Sequence, residues 1–287
     1  MKRILTIISI ALLPFVGVNA QDKEKNYLPE AGDMALGVNL MPVFKYAGNL
    51  FNGNTNNEID YIGGGVVTSK DFDSDILPDV SIMGKYMLTD NWGLRANVGL
   101  LFRTDTKKEF VRNDKNAMLD PFDESKLIDT QKSSKNGMSL MLGAEYRTGK
   151  KRVQGVFGMG ALFGFATSST NYQYGNVITS VNQQPSSGSW VTGAYRPLSV
   201  KGERGFFYGL TGSAGVEWFV APKVALGAEV NLSLYNVQEG KKYTKSEGYN
   251  TYSQKVETRT DLTSPGGNKF RFGTENLGGS LYMAFYF

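Results

Sequence analysis

Six ionisable residues sit inside otherwise apolar or glycine-rich runs: Lys85, Arg95, Glu145, Arg147, Glu217 and Glu229. Carboxylates so placed are conceivable as acid-base catalysts. The chain contains no His, however, so the residue whose unperturbed pKa suits proton transfer near neutrality is missing, and with it the Ser-His and Asp-His constellations. Three carboxylates and three cations of this kind are better suited to neutralise one another, and an ion network bracing an interior is expected in place of a catalytic centre.

Other chemistry is weaker still. Asp71, Asp73, Asp75 and Asp79 open like the D-x-D-x-D of a calcium loop, but Ile76 stands where such a loop wants Gly and Ile82 where it wants its bidentate Glu. Gly155, Gly158, Gly160 and Gly164 lack the G-x-x-x-x-G-K-[ST] spacing of a phosphate loop and suit curvature and close packing instead. A cationic stretch (Lys107, Lys108, Arg112, Lys115, Lys126, Lys132, Lys135) could meet phosphates, but seven acids, Asp105, Glu109, Asp114, Asp120, Asp123, Glu124 and Asp129, are interleaved with it. The expectation there is a solvated loop. No metal or cofactor is expected, and with no Cys the fold must hold without disulfides.

The elements that carry the six charges are strands, because side chains alternate with a period of two around every one of them. Met34, Leu36, Val38, Leu40 and Phe44 share one face of a first strand, from Asp33 to Phe44. The next two, Val80 to Thr89 and one opening at Trp92, flank a Thr89-Asp90-Asn91 turn. Gly137 to Arg147 and the run through Phe157 to Phe165 flank Thr148 to Lys151; Phe206 to Phe219 and Val224 to Tyr235 flank Val220 to Lys223. The last strand is Leu281 to Phe287, with Leu281, Met283, Phe285 and Phe287 on one face and Tyr282, Ala284 and Tyr286 on the other.

Short turns link strands 2–3, 4–5 and 6–7, and long polar segments link 1–2, 3–4, 5–6 and 7–8. That alternation belongs to an up-and-down antiparallel β-barrel crossing a membrane, with short turns at one end and long loops at the other. Eight strands are expected. Ten is the alternative, if Ile59 to Val67 or Ser189 to Val200 pairs within the membrane. The six charges all fall on the glycine-rich face, and turning the pattern over would put Lys85 and Arg95 into hydrocarbon at up to about 2–4 kcal/mol each. That face is therefore the lumen. Trp92, Tyr146, Trp218 and Phe285 lie beside the short turns, and Phe44, Phe102, Phe165 and Tyr208 beside the long loops, as two aromatic girdles at the membrane interfaces. A soluble barrel with the apolar face inward would leave the girdles unexplained.

The first twenty residues read as an export signal: Lys2 and Arg3, an apolar stretch from Ile4 to Val18, and Val18-Asn19-Ala20 as a small-residue cleavage site. Cleavage near Ala20 leaves a short periplasmic segment, 21–32, before a barrel over 33–287. Two of the 31 basic residues go with the signal, leaving 29 against 27 acidic, a balance unsuited to a dedicated nucleic-acid binder. The 34 glycines and 12% aromatics, with only 9 prolines, favour an all-β chain.

On these features the chain resembles small Gram-negative outer-membrane β-barrel proteins of the OmpA/OmpX/OmpW kind, and the ending at Leu281 to Phe287 resembles their assembly signal. The resemblance implies an outer-membrane location, outer-membrane lipids and lipopolysaccharide as surroundings, and recognition of Tyr282, Phe285 and Phe287 by the barrel-assembly machinery. It specifies architecture more than activity. Enzymatic barrels of this kind depend on a His, so a non-enzymatic protein is expected, structural or acting through loops that meet an unknown extracellular ligand or protein. The lumen would be plugged by side chains and the ion network. The alternative is a narrow channel or transporter for small solutes, which the many luminal glycines keep open.

Overall fold

The computed structural model describes residues 27–40, 81–149 and 151–287. In chain order these form β1 (Met34–Asn39), β2 (Ser81–Met87), β3 (Trp92–Arg112), the short helix α1 (Asp114–Leu119), β4 (Lys126–Thr148), β5 (Val153–Gln173) and β6 (Arg196–Ala221). They continue as β7 (Val224–Glu239), β8 (Lys242–Asn250), β9 (Lys255–Ser264) and β10 (Gly267–Tyr286). The export signal, Phe44, the Ile59 to Val67 candidate strand and the aspartates at 71, 73, 75 and 79 lie outside the described residues.

β1 to β7 pair in sequence, β10 returns to lie between β7 and β1, and the cylinder is thereby closed by eight antiparallel strands. The closing ladder runs from Ala35 opposite Tyr286 to Asn39 opposite Tyr282. Beyond it, Met34 N donates to Phe287 O at 2.9 Å and Phe287 N to Met34 O at 2.8 Å. Closure pairs the first and last strands through their backbones, and satisfying backbone groups in this way is the condition for crossing a membrane with strands.

Ten strands do occur among the described residues, but the extra pair is neither of the expected candidates. β8 and β9 form a hairpin in the last long connection and join the wall only where β8 pairs with Arg196–Lys201 of β6, beyond the level at which β7 leaves it. The barrel itself keeps eight. Ser189 to Val200 makes no strand of its own, since its second half is the start of β6.

The cationic segment expected as a solvated loop is mostly strand. The β3–β4 ladder continues unbroken from Trp92 opposite Tyr146 to Arg112 opposite Lys126, with Lys107 and Lys108 on β3, Lys132 and Lys135 on β4, and only Lys115 on α1. A barrel strand needs about 9–11 residues to cross, whereas β3 has 21 and β4 has 23. Beyond the membrane neither face meets lipid, and one of them lies partly under residues 174–195. The apolar alternation that identifies a strand is lost there while the backbone ladder persists. β10 likewise begins at Gly267, fourteen residues before the expected Leu281.

At the short-turn end the chain crosses the mouth before entering β1. Tyr27 and Leu28 pack on the apolar cluster of Met83, Met87, Phe219, Tyr282 and Tyr286. Three neighbouring turns hold this strap: the Arg152 guanidinium lies 3.7 Å from the Tyr27 ring centroid, Lys223 N donates to Tyr27 O at 3.3 Å, and Asp90 accepts from Ala31 N at 3.1 Å. Lys223 adopts a positive φ of 60° after Pro222, as the third residue of a tight Pro-led turn must, and its amine pairs with Asp33.

Candidate functional site

β2, β3, β4, β6 and β7 each turn alternate residues inward, and at the short-turn half of the lumen this brings all six ionisable residues together. None is more than 6% exposed. Lys85 Nζ donates to Glu217 Oε1 at 2.7 Å and lies 2.6 Å from Glu145 Oε2. Arg147 donates from Nε to Glu145 Oε1 at 3.0 Å and from Nη2 to Glu217. Arg95 holds Glu229 with two bonds of 2.5 Å, the bidentate geometry in which a planar guanidinium is matched to a carboxylate. Three cations face three carboxylates, and the group is neutral.

The final strand completes the network with residues that charge patterning alone does not mark. Tyr282 and Tyr286 donate to Glu217 at 2.7 and 3.1 Å, and Ser280 donates to Glu229 at 2.9 Å. The same rings carry cations, with Lys85 Nζ 5.2 Å from the Tyr282 centroid and the Arg147 guanidinium 4.9 Å from that of Tyr286. The signal that could have found them is their common inward face with Ala284. Which strands lie across the lumen from that face is not written in any local pattern.

Above the network Arg95, Asn97, Thr211, Ser213, Glu229 and Asn231 line a cavity of about 10 Å³, room for about one water. Several luminal glycines lie close to side chains of neighbouring strands. A Cβ at Gly164 would overlap the Phe207 ring, one at Gly209 would overlap Tyr235, and one at Gly227 would overlap the Tyr282 ring. Each glycine makes room for an aromatic side chain from a neighbouring strand. Among the described residues no cluster of acids is arranged to hold a metal.

The outward face carries the aromatic positions. Trp92 and Tyr146 are opposite in register with ring centroids 5.0 Å apart, Trp218 is exposed and Phe285 half-exposed at the same end. Phe102, Phe165 and Tyr208 are exposed toward the other end, and Phe206, Phe270 and Phe272 join them. From Trp92 to Phe102 a strand rises about 33 Å, and a tilt of 35–45° reduces that to roughly the 25 Å height of a barrel's apolar band. Of the three expected assembly-signal residues, Tyr282 is buried in the lumen while Phe287 is exposed on the outer wall and Phe285 partly so.

Beyond the long-loop girdle, residues 174–195 are bound down on the β3–β4 extension by buried or shielded carboxylates. Asp129, fully buried, accepts from Gly175 N at 2.8 Å and Gly188 N at 2.9 Å. Glu109 accepts from Ser189 N at 2.7 Å and its hydroxyl at 2.8 Å, and these bonds hold its carboxyl below the usual carboxylate range. At Asp114 burial pushes the carboxyl up, but bonds from Asn182 and Ser186 outweigh it and the carboxyl also lies low. Arg196 closes the arrangement, stacked 4.2 Å over Tyr174 and paired with Glu247 of β8 at 2.8 Å.

Comparison with known proteins fits this geometry. The family model described as "Outer membrane protein beta-barrel domain" matches residues 8–256, so it takes in part of the expected export signal and stops short of β10. No curated protein matches. Among solved structures, the outer membrane protein OprG from Pseudomonas aeruginosa aligns over 91% of this chain and 99% of its own at 11% identity and a TM-score of 0.34, a likeness that bears on neither ligand nor activity. A match over most of the chain, on a wall closed by eight antiparallel strands with aromatic rings outside and charges inside, leaves one assignment: the chain belongs to the outer membrane protein β-barrel domain family.

Proposed function

We propose that the protein is a non-enzymatic barrel of the outer membrane whose work is done by contact at its long-loop, extracellular face, and whose lumen is closed to solutes. The observation that carries this reading is the neutral, fully buried network of Lys85, Arg95, Glu145, Arg147, Glu217 and Glu229, hydrogen-bonded to Tyr282, Tyr286 and Ser280 across the lumen. Interlocked charges of this kind present neither an open path nor an unpaired acid or base to a substrate. Two of the luminal glycines, which would have favoured a channel, lie against aromatic rings, Gly164 against Phe207 and Gly227 against Tyr282, and others lie against neighbouring backbone or side chains. In this reading lipopolysaccharide surrounds the barrel, the assembly machinery reads Tyr282, Phe285 and Phe287, and the folded loops and the β8–β9 hairpin meet an extracellular partner.

The test is single-channel conductance of the purified protein in a planar bilayer, after a heat-dependent gel shift has established folding. An electrically silent barrel is expected. Stable, reproducible conductance steps would overturn the closed-lumen reading in favour of a narrow channel.

A further inference from the structure

β9 ends the extracellular sheet: among the described residues it pairs only with β8, so one full backbone edge of ten residues is left to hydrogen-bond elsewhere. Proteins usually protect such edges with like charges, proline or bulges. Here the edge is regular from Lys255 to Leu262, and its charges alternate in sign on one face, Lys255, Glu257, Arg259 and Asp261.

That order has a property that like-charged edges lack. If two copies of β9 lie antiparallel about Thr258, Lys255 of each faces Asp261 of the other, and Glu257 of each faces Arg259. All four charged positions on each strand then meet an opposite charge. On the other face Thr258 meets Thr258, and Val256 meets Thr260. Both are pairings that support antiparallel strands. Arg259 and Asp261 already lie 2.9 Å apart on β9, and both side chains are about half exposed and accessible to a neighbour. Glu257 is aligned by Asn250 at 2.8 Å and Ser253 at 2.5 Å, which fixes the hairpin tip next to the edge.

We infer that β9 is a self-association edge, through which two copies of this chain join by antiparallel strand pairing about Thr258. The interface is isologous, the same strand on both sides, as a twofold dimer requires. Its affinity comes from main-chain hydrogen bonds, as in other strand additions, and its register from the four ion pairs. The inference rests on the proposed contact function and deepens it by naming one partner.

The experiment uses the full chain refolded in neutral detergent, with the oligomeric state read by native mass spectrometry and sedimentation. The wild type is expected to form dimers that weaken with salt. Lys255→Glu alone sets the new carboxylate against Asp261 twice, and Asp261→Lys alone sets the new amine against Lys255 twice, so each is expected to weaken association on the order of tenfold or more. An equimolar mixture of the two variants restores both attractions. The carboxylate introduced in one variant faces the amine introduced in the other, the native Asp261 of the first faces the native Lys255 of the second, and dimers are expected again. That recovery separates pairing from misfolding. A monomeric wild type, dimers indifferent to both substitutions, or a mixture that stays monomeric would each overturn the inference. The conductance test is untouched by any of these results, so the closed-lumen reading fails or stands independently.

Discussion

Glu217 has four partners in the lumen, Lys85, Arg147, Tyr282 and Tyr286, and they come from three other strands. A buried ion network adds little net stability over a well-packed apolar interior, but removing one member leaves its partners charged and uncompensated. Glu217→Gln keeps the shape and removes the charge, leaving Lys85 and Arg147 to share Glu145. The expected cost is about 3–5 kcal/mol, read as a lower urea midpoint for the folded barrel in lipid vesicles. An unchanged midpoint would show that the network does not brace the wall. All six charged members were legible in the sequence because each breaks an apolar or glycine alternation, and a charge facing hydrocarbon is too costly to leave there. The two tyrosines were legible only as inward residues, since a phenol announces no partner.

At the level of elements, the membrane-crossing parts of the strands followed from alternation, and their continuations toward the long loops did not. The same physics accounts for both: apolar alternation records the contrast between a face on lipid and a face turned inward, and above the membrane neither face meets lipid. Loop 174–195 is held there by bonds to Asp129, Glu109 and Asp114, and at Glu109 and Asp114 those bonds favour the ionised form. The folded-state values of Glu109 and Asp114 are depressed, so their contribution is present above the unfolded carboxylate range and is lost as pH falls through the folded values, below the ordinary carboxylate range. The loop is therefore expected to lift between pH 7 and pH 3 while the barrel persists. Trp190, half-buried in that loop and 6.4 Å from Tyr172, reports this by a red-shifted emission in a background where Trp92 and Trp218 are replaced by Phe. Emission unchanged to pH 3, or a simultaneous loss of the heat-dependent gel shift, would count against an independent loop.

For the whole molecule, inside and outside are reversed relative to a soluble barrel, and the reversal sets the cost of each substitution. Leu142 is exposed on the outer wall of β4, four residues from Tyr146 of one girdle and four from Met138, which pairs with Phe165 of the other. It therefore lies near the middle of the apolar band. Leu142→Arg is expected to cost about 2–4 kcal/mol in a bilayer, measured as a shift in the urea midpoint in vesicles. A substitution tolerated there without cost would argue that this wall does not face lipid.

The sequence by itself determined the class of fold, the count of crossing strands, the face that meets lipid and the members of the charged network, because a hydrocarbon solvent penalises every exception to period-two alternation. Only the tertiary structure decided that Arg95 reaches Glu229 while Lys85 and Arg147 share Glu217, that the glycines accommodate Phe207, Tyr235 and Tyr282, and that β8 and β9 extend the wall instead of widening it. Those outcomes depend on which strands face one another across a closed cylinder. Closure is a property of the complete set of pairings, and no single strand carries it.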